Sequence, residues 1–264
     1  MATQRKHKPA GGKHRRSGRD IWIVLLLTVL LLAIIALVFV VLFQTEQTPD
    51  ETSTSSTVEL QCSYDIDGFT PLPDAPIGAI SDELELLYAG TYSGAYMEDG
   101  TDEQVTDVLA LIVENKGSAT IEYAQLCLMC DEKPVYFSVT ALPATGKVFV
   151  LAQDRAAYTT EMRLGVLTCT QSAALSDRAV LDFGGEFRLY PSDGVLNLQN
   201  ISQKDIAGDV SLYFKNYRDG LFWGGITYRV SFADGFAADE TRQSIQPHYT
   251  VDGSVILYMS YEDA

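Results

Sequence analysis

Two patterns of hydrophobic and polar positions divide the chain. Residues 21–43 read IWIVLLLTVLLLAIIALVFVVLF, 23 positions without a charge, Gly or Pro and with Thr28 as the only hydroxyl. As a helix rising ~1.5 Å per residue this run reaches ~35 Å, which spans a hydrocarbon core of ~30 Å. Backbone groups in lipid must be satisfied internally, so a transmembrane helix is expected. From Leu84 onward the pattern changes to short apolar or alternating runs, rich in Val, Tyr, Phe and Thr and punctuated by Gly, Asp, Asn and Pro. That pattern predicts an antiparallel all-β fold. Twelve strands are expected, at 87–98, 107–115, 120–130, 135–142, 147–155 and 165–170, then 179–190, 194–200, 206–216, 225–233, 241–250 and 254–262. Helical spacing fits only a few turns near 151–157 and 173–175.

The twelve strands form two sets of six that correspond in order. Residues 111–130 align without a gap to residues 196–215, matching Leu111 to Leu196, Val113 to Leu198, Asn115 to Asn200 and Ile121 to Ile206. In each copy a strand ends at an Asn, a polar turn follows and a second strand begins at an Ile. Asn suits that place because it tolerates left-handed backbone and its side chain closes turns. The offset of 85 grows to about 94 by the next turn, Leu142-Pro143-Ala144-Thr145-Gly146 against Phe236-Ala237-Ala238-Asp239-Glu240. An internal duplication is therefore expected.

The organisation predicted is a basic tail (1–20), a membrane helix (21–43), a flexible stalk and irregular lead-in (44–83), and two tandem antiparallel β-sandwiches (84–175 and 176–264). The strand ending in Asn, the polar turn and the apolar strand near a Tyr resemble the small Ig-like β-sandwich modules of bacterial envelope proteins, including the FxLYD type. The second copy has Leu212-Tyr213-Phe214-Lys215-Asn216 where that motif would end in Tyr-Asp. The resemblance implies two Ig-like modules serving as a binding or spacer device on a membrane anchor, and it supplies no catalytic residues.

Charge sharpens the topology. The first twenty residues hold seven Lys or Arg and one acid, Asp20; from a total of 19 basic and 35 acidic residues this leaves 12 against 34, a net charge of −22 beyond the tail. Seven cations before the apolar run and almost none just after it predict a cytoplasmic N-terminus and an uncleaved signal anchor, with the C-terminal part extracytoplasmic. A field of that sign is wrong for phosphate backbones, so nucleic acid is excluded as a partner of the C-terminal part. The partners expected are the membrane, through one helix, and another envelope protein or a cell-wall component.

Candidate chemistry is sparse. His248 is the only histidine beyond residue 43, so any Ser-His or Cys-His mechanism must use it, yet no Gly-x-Ser-x-Gly elbow supplies a nucleophile. Cys127 and Cys130 form a C-x-x-C inside a strand, where residues three apart point to opposite faces and are poorly placed to share a bond or a metal. With Cys62 and Cys169 they read as structural thiols, with one bridge such as Cys62 or Cys130 to Cys169 left open. Neither 98–103 (EDGTDE) nor 65–68 (DIDG) has the spacing of a calcium loop, and no metal or other cofactor is expected. Asn200-Ile201-Ser202 is a glycosylation sequon, but it falls where the repeat needs a turn. Phe222, Trp223 and Tyr228 are the candidate ligand-binding residues, with Phe222-Trp223-Gly224-Gly225 expected to close a hairpin. The function expected is a non-catalytic binding, spacer or assembly module; the alternative is a carbohydrate-active enzyme or a sugar-binding protein.

Overall fold

A computed structural model describes residues 62–261. The basic tail, the apolar run 21–43 and the stalk up to residue 61 lie outside the described residues. The described residues form one compact unit, which is all-β and contains no helix. The turns expected to be helical near 151–157 and 173–175 are a tight turn, with Arg155 at φ 55°, and the end of a strand.

The strands are β1 (Phe69–Pro71), β2 (Gly78–Ala79), β3 (Leu84–Tyr96), β4 (Glu103–Asn115), β5 (Ile121–Cys130), β6 (Lys133–Leu142), β7 (Lys147–Leu151) and β8 (Leu164–Ala174). The second half holds β9 (Ala179–Val180), β10 (Phe187–Ser192), β11 (Val195–Asn200), β12 (Val210–Arg218), β13 (Leu221–Phe232), β14 (Thr241–Ile245) and β15 (Ser254–Ser260). The run 179–190 is broken into β9 and β10 by Gly184-Gly185, and the two pieces join different sheets. The run 241–250 stops at Ile245, ahead of Pro247, which has no N–H for a ladder.

Strand order repeats between the halves. β3-β4-β7 is matched by β10-β11-β14, and β6-β5-β8 by β13-β12-β15. Asn115 and Asn200 close equivalent turns with the same set of bonds. Asn115 Nδ2 donates to the carbonyls of Ala119, Leu142 and Pro143 while its Oδ1 accepts from the Gly117 N–H. Asn200 Nδ2 donates to Lys204, Phe236 and Ala237 while its Oδ1 accepts from Ser202. Both side chains are fully buried, and each is satisfied by backbone groups of its own turn and of the neighbouring one.

The gapless alignment fails past this turn. The core of the first half takes Ile121, Ala124, Leu126 and Leu128, whereas that of the second takes Ile206, Val210, Leu212 and Phe214. One extra residue lies between Ile206 and Val210, and a slip of one position moves every side chain of a strand to the other face. Without that correction Lys215 aligns with Cys130, inside a core; with it, Lys215 points out of the second core towards the first half.

Each half keeps its own apolar core, but the sheets do not stop at the boundary. β7 pairs in parallel with β13, Val148 opposite Phe222 and Phe149 opposite Trp223, so β1-β3-β4-β7 continues into β13-β12-β15-β9, which with β2 beside β3 makes one nine-stranded sheet. Two sandwich-like halves thus share a sheet. The lead-in is structured from residue 62: β1 and β2 pair with β3, and Tyr64, Phe69 and Leu72 pack against the first core. This cover explains why residues 108–113 of β4 are all buried, reading as a continuous apolar run instead of an alternating one. Gly90 is needed beneath it, because a Cβ there would collide with the Phe69 ring.

Candidate functional site

The junction of the halves is built around a wide bulge in β13. Phe214 pairs with Tyr228 and Asn216 with Trp223, so residues 224–227 of β13 stand against the single residue Lys215 of β12. The bulge turns carbonyls out of the ladder. Lys215, fully buried, uses them: its Nζ donates to Gly225 O (2.8 Å), Ile226 O (2.8 Å) and, across the junction, Thr140 O on β6 (3.0 Å). Thr140 Oγ1 also donates to Gly225 O at 2.8 Å, and Thr227 Oγ1 to Thr140 O at 3.2 Å. The Glu98 carboxylate accepts from the Gly225 N–H and the Leu151 N–H, each at 2.8 Å. Gly225 therefore stands between the two charges, its N–H on the carboxylate and its carbonyl on the ammonium. Burial pushes the Glu98 carboxyl up to about 7 against those two N–H bonds and the pull of Lys215, and burial pushes the Lys215 ammonium down to about 7 against the pull of Glu98. A Cβ at Gly225 would collide with the Ser138 carbonyl oxygen, so this residue must be Gly.

The β3–β4 turn, with its acids 98–103, lies alongside. Asp99 and Glu103 are each 2.7 Å from a guanidinium nitrogen of Arg155, and Thr101 donates from its N–H and its hydroxyl to Asp99. Those bonds, with Arg155, lower the Asp99 carboxyl to about 2. The cluster holds a cationic side chain, and among the described residues no group of three or more His, Cys, Asp or Glu is arranged for a metal ion. The imidazole of His248 stacks on Tyr228 (4.8 Å between centroids) with Asp102 Oδ2 3.8 Å from its Nδ1. Tyr228 in turn stacks on Phe214. No hydroxyl or thiol among the described residues donates to that imidazole. His248 is accordingly an aromatic packing residue at the base of the acidic turn.

The four thiols are free. Cys130 belongs to the first core and Cys127 lies on the opposite face of β5, as their spacing requires. Burial, and secondarily Asp131, raises the Cys130 thiol to about 11, and burial raises Cys62 and Cys169 as well, which suppresses the thiolate.

The three candidate ligand-binding residues part company. Phe222-Trp223-Gly224-Gly225 does not close the hairpin; it lies within β13, and the turn is the two-residue Asp219-Gly220, both at positive φ (52° and 84°) as a type I′ turn needs. Phe222 is buried in the first core, and Tyr228 is stacked at the acidic turn. Trp223 alone lines an open groove of about 550 Å³, with Asn216, Tyr217, Arg218, Asp219, Thr250, Asp252 and Gly253. Its indole is half-buried between Phe149, 4.9 Å away between centroids, and the Arg218 guanidinium, 3.9 Å above the ring. The Tyr217 ring packs edge-on against Phe222, 5.1 Å away between centroids, on the face of the β12–β13 ladder opposite Trp223. Sequence reasoning missed Glu98, Lys215 and Arg218. A lysine inside the apolar run VSLYFKNY was the one available signal.

No protein-family model, curated protein or solved structure matches the chain.

Proposed function

We propose that the chain is a single-pass membrane protein: residues 1–20 stay in the cytoplasm, 21–43 cross the bilayer, and the all-β unit, two Ig-like repeats fused through one sheet, is an extracytoplasmic binding module without catalytic activity. What carries the reading is the groove beside Trp223, lined by a guanidinium seated on the indole and by two carboxylates, while the only histidine beyond residue 43 is committed to stacking elsewhere. Recognition without chemistry needs such a set of orienting groups and no nucleophile and base pair. The partner is another envelope protein or a cell-wall component. The test is capture of partners from native membranes with the full chain and with Arg218→Met. Loss of one specific partner with the variant supports the module; an identical captured set with both removes the groove from the function. Labelling of a serine or cysteine nucleophile that disappears in His248→Ala would replace the reading with an enzymatic one. Protection of the C-terminus from protease added to intact cells would reverse the topology.

A further inference from the structure

The charge pattern of the groove narrows its occupant, given the reading of this unit as a binding module. Arg218 lies flat on the Trp223 ring with its side chain 56% exposed. Its only charged neighbour is Asp219, whose Oδ2 is 3.8 Å from Nε, too long for a hydrogen bond. The terminal N–H fork of Arg218 thus has no acceptor among the described residues. Arg155, Arg229 and Arg242, by contrast, donate to Asp99 and Glu103, to Ser211 and to Glu240. A guanidinium oriented by an aromatic face, with its planar fork unfilled, is a preformed seat for a carboxylate.

A simple anion nevertheless fits badly. The chain beyond its tail carries −22, which repels anions at long range, and the groove itself adds Asp219 and Asp252. The Asp252 side chain has no hydrogen bond or ion pair among the described residues. One guanidinium with two carboxylates on the same lining matches a ligand that carries both signs. We propose that the groove binds the zwitterionic head of an α-amino acid, free or at a branch point of a peptide. The ligand's carboxylate lies on Arg218 and its ammonium on Asp252.

The experiment uses the full chain in detergent micelles with Trp22→Phe, which leaves Trp223 as the only tryptophan and its fluorescence as the readout. Free L-alanine is the probe, with acetate and methylammonium as single-charge controls. Saturable quenching by alanine is expected, with acetate and methylammonium each about tenfold weaker or worse. Arg218→Met and Asp252→Asn should each weaken alanine binding about tenfold, and Arg218→Lys, which keeps the charge but not the planar fork, should fall between. Equal response to acetate and alanine, equal response to methylammonium and alanine, or no response to alanine up to about 100 mM overturns the proposal. Should Arg218→Met lower the melting temperature of the protein, the exposed Asp252→Asn decides alone. Partner capture that still depends on Arg218 while alanine does not bind would leave the module reading standing and remove only the zwitterion.

Discussion

Replacing Lys215 with Met tests the junction most directly, because it removes one charge and keeps most of the side-chain volume. The three carbonyls that Lys215 serves are affected unequally. Gly225 O keeps the Thr140 hydroxyl at 2.8 Å and Thr140 O keeps the Thr227 hydroxyl at 3.2 Å, whereas Ile226 O loses its ammonium partner outright. Ile226 is only partly buried, so its unpartnered carbonyl costs at most the low end of the ~1–3 kcal/mol of a buried group. Glu98 also loses the cation that opposes its desolvation, and breaking a buried charge pair from one side typically costs ~3–5 kcal/mol in total. Urea unfolding of residues 58–264, followed by far-ultraviolet circular dichroism, provides the assay. With a slope of ~2 kcal/mol per molar, the midpoint should fall by about 1.5 to 2.5 M at unchanged slope. Adding Glu98→Gln to Lys215→Met should cost less than Glu98→Gln costs alone, because each charge is a burden without the other. The pH dependence has a definite sign. Glu98 is raised to about 7, so its contribution is full below its unfolded value and is lost as pH rises through about 7; Lys215 is lowered to about 7, so its contribution is present above its unfolded value and is lost as pH falls through about 7. The pair is therefore weakest near neutrality, and the double variant should lack that dip. A midpoint shift below about 0.5 M for Lys215→Met would refute the reasoning.

Gly225→Ala should be as damaging as Lys215→Met, since a methyl there collides with the Ser138 carbonyl and parts the charges; a melting temperature equal to wild type would contradict this. Asn115→Ala and Asn200→Ala should each cost ~2–4 kcal/mol in urea unfolding, and by similar amounts, because the two side chains make the same set of turn bonds. The sequon at Asn200 should stay unmodified in a glycosylating host once the domain has folded, because its side-chain nitrogen is buried and donates to three carbonyls; intact mass with a glycan on natively folded protein would refute this. The buried Cys127 and Cys130 should resist a thiol-specific disulfide reagent at pH 8 in the folded state while the partly exposed Cys62 and Cys169 react first, and all four should react after denaturation; immediate reaction of all four in the folded state would contradict this.

Strand existence was legible from residue type because β-branched and aromatic runs bounded by turn formers leave few alternatives, and all twelve expected runs contain strand. The Asn turns were legible for the same reason: a polar residue that ends an apolar strand must satisfy several backbone groups. Register was less so. An alignment scored by residue similarity has no term for which face a side chain occupies, so the extra residue before Val210 went unseen and Lys215 was placed with Cys130. The shared sheet was not legible either, since parallel pairing of β7 with β13 spans two residues and leaves no local signature. Trp223 stood out as the lone tryptophan beyond the apolar run 21–43, but its neighbours in the groove come from the β12–β13 turn and from residues 250–253, which only the fold brings together. Phe222 adjoins Trp223 in sequence and lands on the opposite face of the same strand.

Thr140 belongs to one repeat and its carbonyl holds the lysine of the other, while Glu98 of the first repeat grips the backbone of the second. Halves of matching strand order thus stand or fall together: neither can be cloned alone or reordered without exposing an ionised group that the other keeps dry.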